Sequence, residues 1–266
     1  MNNFIDLVKD FDFITEIAYD LSQQFDGVET EGKRKKLSTY YLAKIVPSCT
    51  SLINILPNSD KKKVDFVDFS SISSLCRNLI EGANLHWYYC IDEAEKTEID
   101  FRFTLYEYHD ATTMLRIANY LGFSAEDISY LENRRTMLRT DLESSEIFSS
   151  LEQEARRQII KGRKCSLLSQ AEIAFERKLD MDEFNGIYKL LSNHVHSTPT
   201  SIKDTVHRQI HGSEMEEVFS GLILSYSACF LADMVKSIGE IWELEFAKEA
   251  SKEIIISYSN GLHRAT

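Results

Sequence analysis

The chain is predicted to be all-α, a single multi-helix bundle of about 8–10 helices that closes on a long C-terminal helical hairpin. Three observations carry this. Glycine numbers 10 and proline 3 in 266 residues, well below the roughly 7% and 5% of average usage, so the turns of a many-stranded sheet are missing. Apolar residues recur at spacings of three and four in every long segment, the period of a helix docked on a core. The segment Val218–Ala232 is apolar nearly all round and should form the central helix.

Phe4, Leu7, Val8, Phe11, Ile14, Ala18, Leu21 and Phe25 set a first helix over 3–25. A second covers 34–56, and Pro47 inside it should kink or split it, because proline removes one intrahelical bond. Asp68 or Ser70 can cap a third helix that reaches Asp92, with Ile72, Leu75, Cys76, Leu79, Ala83, Trp87 and Cys90 as its buried stripe. A fourth spans 97–121 and stops at Gly122. A fifth starts after Ser124 and runs to 140. The pattern resumes over 146–161, closed by Gly162. Ser169-Gln-Ala-Glu172 then forms a capping box for a helix to 179. The Tyr188 helix follows, ending by Ser197 because Thr198 precedes a proline. Two long helices, 213–238 and 241–259, complete one domain over 1–266, with N-terminal helices at 3–56 and a middle portion at 65–205.

Acidic residues outnumber basic ones by 42 to 30, a net charge of −12. A broad grip on a polyanion needs the opposite field, so RNA could bind only through a local basic patch. Lys33–Lys36, Lys61–Lys63 and Arg156–Lys164 are the candidates. Five scattered cysteines, Cys49, Cys76, Cys90, Cys165 and Cys229, show no Cys-x-x-Cys spacing and suit a reducing compartment. The acidic amphipathic N-terminus is unlike a signal peptide, and no uninterrupted apolar run of roughly 18 residues occurs, so a cytoplasmic location without a membrane is expected. A protein partner or a homo-oligomer is compatible with all of this.

Potentially reactive side chains crowd into Tyr188-Lys-Leu-Leu-Ser192-Asn-His194-Val-His196-Ser-Thr-Pro199. His194 and His196 fall roughly 160° apart on a helix, which prevents them from sharing a metal. No His-x3-His or Glu-x-x-His pair occurs either, and no metal or cofactor is expected. In the last turn of its helix His196 should favour the imidazolium. Ser192 stands one turn before it, a poor arrangement for a nucleophile and its base. Arg77 and Glu81 sit mid-helix in an apolar segment, where an unpaired charge is costly. Arg102 and His109, seven apart and in line with Arg116, form a second candidate pair, at a spacing that about one pair in such a chain meets by chance.

The Arg77-x3-Glu81 helix, the Phe101–His109 helix, the Lys161-Gly162 turn and Tyr188-x3-Ser192-x3-His196 with Pro199 resemble a widespread bacterial all-helical family of unknown function, at times regarded as HEPN-like. The Arg102–His109 spacing is similar to the Arg-x4–6-His signature of HEPN ribonucleases, which cleave RNA without metal. The resemblance implies that Arg77, Glu81, Tyr188, Ser192 and His196 meet in space.

Two functions remain open at this point. One is a toxin or antiphage-defence effector whose Arg77, Glu81, Ser192 and His196 cleave RNA without a metal. The other is a non-enzymatic sensor or scaffold in which the same residues form a buried network. Access discriminates them: an enzyme needs the cluster on the floor of a cleft, a scaffold needs it sealed.

Overall fold

The computed structural model describes residues 4–56, 68–211, 214–244 and 248–263. Among these, twelve α-helices and one π-helical turn are present and no strand, so the protein is all-α. The span taken from the sequence as one domain divides by contacts into two compact units, 1–91 with 170–266 and, inserted between them, 92–169.

In the first unit, α1 (Phe4–Gln24), α2 (Lys33–Ile55) and α3 (Phe69–His86) surround α11 (Glu214–Trp242). That helix buries Ile223, Leu224, Phe230, Leu231, Val235 and Ile238 completely. It is long and apolar enough to cross a membrane by length and composition, and it earns that composition here as the core helix that α1, α2, α3 and α12 (Glu249–Gly261) pack against. α2 passes through Pro47 as one helix. Of the kink or split expected there the split does not occur, and Ile45, Val46 and Cys49 on either side of the proline are buried in the core. Gly82 lets α2 and α3 approach closely: a Cβ there would stand 2.6 Å from Ile45 Cδ1. α3 leads into a π-helical turn, Trp87–Ile91, that buries Tyr88, Tyr89 and Cys90 together.

The unit is completed by α8 (Gln170–Glu176), α9 (Met181–Val195) and α10 (Pro199–His211). Asp180 caps α9 by accepting from the backbone N–H of Asp182 and Glu183, each at 2.9 Å. α10 had no counterpart in the sequence expectation. Its signal was the Thr198-Pro199 pair: the Thr198 hydroxyl accepts from Ser201 N at 3.2 Å, and the proline takes the first helical position, where a missing N–H costs nothing.

The inserted unit contains α4 (Lys96–Leu121), α5 (Ala125–Glu143), α6 (Glu146–Ser150) and α7 (Gln153–Ile160). Phe101, Leu105, Tyr108, Leu142, Phe148 and Ile159 form its core. The single helix expected over 146–161 is two, broken where Leu151 turns extended (ψ 150). The hydroxyls of Ser149 and Ser150 bond back to the carbonyls of Ser145 and Ile147, competing with continuation of the helix. With α10, this break raises the helix number above the expected 8–10. Gly162 ends α7 at φ +60 and a Cβ there would meet Thr112 Cγ2 at 2.5 Å, so both conformation and space demand glycine.

Candidate functional site

α3 packs on α9, and the contact brings together Arg77, Glu81 and Tyr188 of the singled-out side chains. Arg77 Nε donates to Glu81 Oε1 at 2.8 Å, one turn along α3. Its Nη2 donates across to the Tyr188 hydroxyl at 3.3 Å, and that hydroxyl donates to Glu81 Oε1 at 2.5 Å. The guanidinium also lies 5.2 Å from the Tyr188 ring centroid, which is stacked on Phe184 at 5.4 Å. Arg77 and Glu81 remain 26% and 32% exposed. Burial alone would lower the Arg77 pKa, and bonding to Tyr188 and Glu81 raises it beyond its ordinary value. Burial and the Glu81 carboxylate likewise raise Tyr188, which therefore stays a phenol at neutral pH.

Ser192 and His196 take other positions. The Ser192 hydroxyl donates to the Tyr188 carbonyl at 2.6 Å, within its own helix. His196 is the residue after α9, extended at φ −111 and exposed, and its carbonyl accepts from Ser201 Oγ at 2.9 Å. Its imidazole makes no hydrogen bond to Arg77, Glu81 or Tyr188. His194 is the buried histidine of the pair: Nε2 lies 3.1 Å from Asp204 Oδ2, and the ring meets Phe69 edge-on at 4.6 Å.

The second pair lies in the inserted unit. Arg102 is buried, donating to Asp92 Oδ2 at 2.7 Å and through Nε to Glu98 Oε1 at 2.9 Å. His109 is half-buried, and burial lowers its pKa, opposed by Asp110 and reinforced by Arg116. Arg116 itself bonds the Lys161 carbonyl. Three residues on one helical line thus have three separate occupations. Of the basic runs, Lys35 and Lys36 lie over the rings of Trp242 and Tyr40, and Lys61–Lys63 fall outside the described residues.

Sequence reasoning missed the most buried ionic cluster. Arg177, at the end of α8, is 2% exposed and donates to Asp233 Oδ2 at 2.7 Å and Asn84 Oδ1 at 2.6 Å. Asp233 Oδ1 accepts from the Ser259 hydroxyl at 2.9 Å, and His263 Nε2 stands 3.7 Å away. Asn84 passes the chain on to Gln170 Oε1 at 2.9 Å. Burial alone would raise the Asp233 pKa, but His263, Arg177 and Ser259 outweigh it and hold the carboxyl at about 2. Nearby His86 is buried, with no hydrogen-bond partner for Nε2 among the described residues. Burial first, then Arg177, push its pKa down to about 3 against the pull of Asp233. The available signal was Asp233 itself, an acid inside an otherwise apolar helix, which must find a partner. Among the described residues no cluster of His, Cys, Asp and Glu could hold a metal ion.

No curated protein and no solved structure matches the chain. A family model does match, over residues 28–213, and its span includes Arg77, Glu81, Asn84, Arg177, Tyr188, Ser192 and His196 while leaving Asp233 and Ser259 outside. The chain belongs to the family of unknown function described as DUF5677.

Proposed function

We propose that the protein is a non-enzymatic helical scaffold or sensor in the cytoplasm, whose polar clusters hold helices in register for a protein partner. The observation that carries this is the mutual occupation of Arg77, Glu81 and Tyr188 across α3 and α9. A nuclease of this type needs a base near neutral pH and a cation aimed at the developing charge on phosphate. Here two donors of Arg77 are spent on its neighbours, Tyr188 keeps its proton, and Ser192 bonds its own helix. Arg102 is similarly engaged with two carboxylates. The cytoplasmic assignment is supported by the free cysteines: Cys49, Cys76 and Cys90 are buried thiols, and burial pushes Cys76 up to about 12.

A second reading, a metal-independent RNA-cleaving effector of a bacterial toxin or antiphage system, is favoured by one observation. His196 is exposed at the end of the helix that carries Tyr188 and Ser192, and the Arg77–Glu81 cluster on the same helix contact is itself partly open to solvent. Expression in bacteria of the wild type, His196→Ala and Arg77→Ala, with folding checked by circular dichroism, separates the two. The scaffold reading expects intact bulk RNA and unimpaired growth in all three strains. RNA loss in the wild type that disappears in folded His196→Ala would replace it with the nuclease.

A further inference from the structure

We propose that α12 is a latch, a helix that swings out of the groove between α1 and α11 as one body while the other helices of its unit stay folded. The device is independent of whether the protein is a scaffold or a nuclease.

α12 lies against both α1 and α11, with a face poor in apolar side chains. It buries Ser251, Ile255 and Ser259, four apart on one stripe, and Leu262 follows just past its end. Ile255 is thus the one apolar side chain that the helix itself buries fully. The 21 residues of α1 bury Leu7, Phe11, Ile14, Ile17, Ala18 and Leu21. Serines add little hydrophobic stabilisation, so polar contacts must supply much of what holds α12 in place.

Those contacts lie at its C-terminal end. The Tyr258 hydroxyl donates to Asp10 Oδ2 of α1 at 2.6 Å, and the Ser259 hydroxyl donates to Asp233 Oδ1 of α11 at 2.9 Å. Burial and then Asp10 raise the Tyr258 pKa, so the phenol keeps its proton at neutral pH. Gly261 lets the helices approach: a Cβ there would stand 3.0 Å from Cys229 Sγ.

The N-terminal end is looser. Lys248 precedes α12 without a side-chain cap. Beside Ser251 a cavity of about 190 Å³ opens, walled by Phe13, Ile17 and Leu21 of α1 with Gly239 and Leu244, so α12 does not fill its groove there. The turn out of α11 is strained: Glu243 stands at φ 56, a left-handed conformation that glycine adopts freely and glutamate does not. A helix with few buried apolar contacts, held at one end, opens ahead of the core. Opening bares the groove and frees Asp10 and Asp233, which would give a sensor its moving part.

Native-state hydrogen exchange of the full chain, read by mass spectrometry at neutral pH in sub-denaturing urea, tests this. The α12 amides should exchange together, at least about 100-fold faster than those of α11 and with a shallower urea dependence, because less surface is exposed. Ile72→Val, a mild change in the core of α3, should speed α11 about 2–10-fold and leave α12 unchanged, since the open state keeps that core. Tyr258→Phe with Ser259→Ala should speed α12 about 10–100-fold. Gly261→Cys places its Cβ at about the separation that a bond of ~2.03 Å to the Cys229 sulfur requires. Once oxidised, that link should slow α12 to the rate of α11, and dithiothreitol should reverse it. Wild-type α12 that exchanges at the rate and urea dependence of α11 overturns the proposal, as does α12 that frays without urea dependence. So does Ile72→Val that speeds both helices alike, or an oxidised link that leaves α12 exchange unchanged.

Discussion

Two arginine-centred clusters tie helices of the same unit together, and they differ in how much water reaches them. Arg77 bridges α3 and α9 with a quarter of its side chain exposed, while Arg177 bridges α8, α3 and α11 almost entirely out of solvent. A charge that water can still reach loses little when its partner is removed, whereas a buried one is left with a desolvation cost that water does not offset. The cluster that looks catalytic in the sequence is therefore the weaker structural element. The strong one has Asp233, an acid inside an apolar helix, as its one signal in the sequence.

The largest expected effect breaks the buried cluster on one side. Arg177→Met leaves the Asp233 carboxylate buried with only Ser259 and His263 beside it and should cost about 3–5 kcal/mol in urea unfolding. Adding Asp233→Leu should recover most of that loss, because the uncompensated charge is then gone. A double variant no more stable than Arg177→Met alone would show that Arg177 acts by packing on Phe230, 4.9 Å from its guanidinium, and not through charge.

Next in size is the acid dependence of the same cluster. His86 has a folded pKa of about 3 against an ordinary 6.5. Between these values the unfolded chain takes up a proton that the folded one refuses, so stability falls as pH drops from about 6.5 toward about 3. His86→Gln should flatten the stability profile in that window. Asp233, held at about 2, acts in a different window: its contribution is present above about pH 4 and lost between about pH 4 and about pH 2. An unchanged slope between pH 6.5 and 4 in His86→Gln would mean that the imidazole is protonated in the folded state.

The smallest effects belong to the half-exposed cluster. Arg77→Ala and Tyr188→Phe should each cost about 1 kcal/mol, with a coupling of about 0.5 kcal/mol in a double-mutant cycle. Ser192→Ala, whose hydroxyl bonds only the Tyr188 carbonyl, should stay within about 0.5 kcal/mol of wild type. A loss at Arg77 as large as that at Arg177 would remove the contrast, and with it the argument from solvent access.

The sequence by itself determined what depends on neighbours along the chain. Apolar spacing set α1, α2 and α4 to within a residue or two, since that period is a property of the helix and not of what it packs against. Glycine marked the ends of α4 and α7 because Gly122 and Gly162 must adopt positive φ. It also made Arg77 and Glu81 worth noticing, as charges in an apolar segment. What it left to the tertiary structure is what needs two distant segments, the 56-residue gap between Arg177 and Asp233 and which of His194 and His196 turns inward, whereas the link from Tyr188 back to α3 was implied by the family resemblance alone. Local periodicity separates those two histidines by angle, but only the position of α10, which brings Asp204 to His194, decides that one is buried and the other left in water.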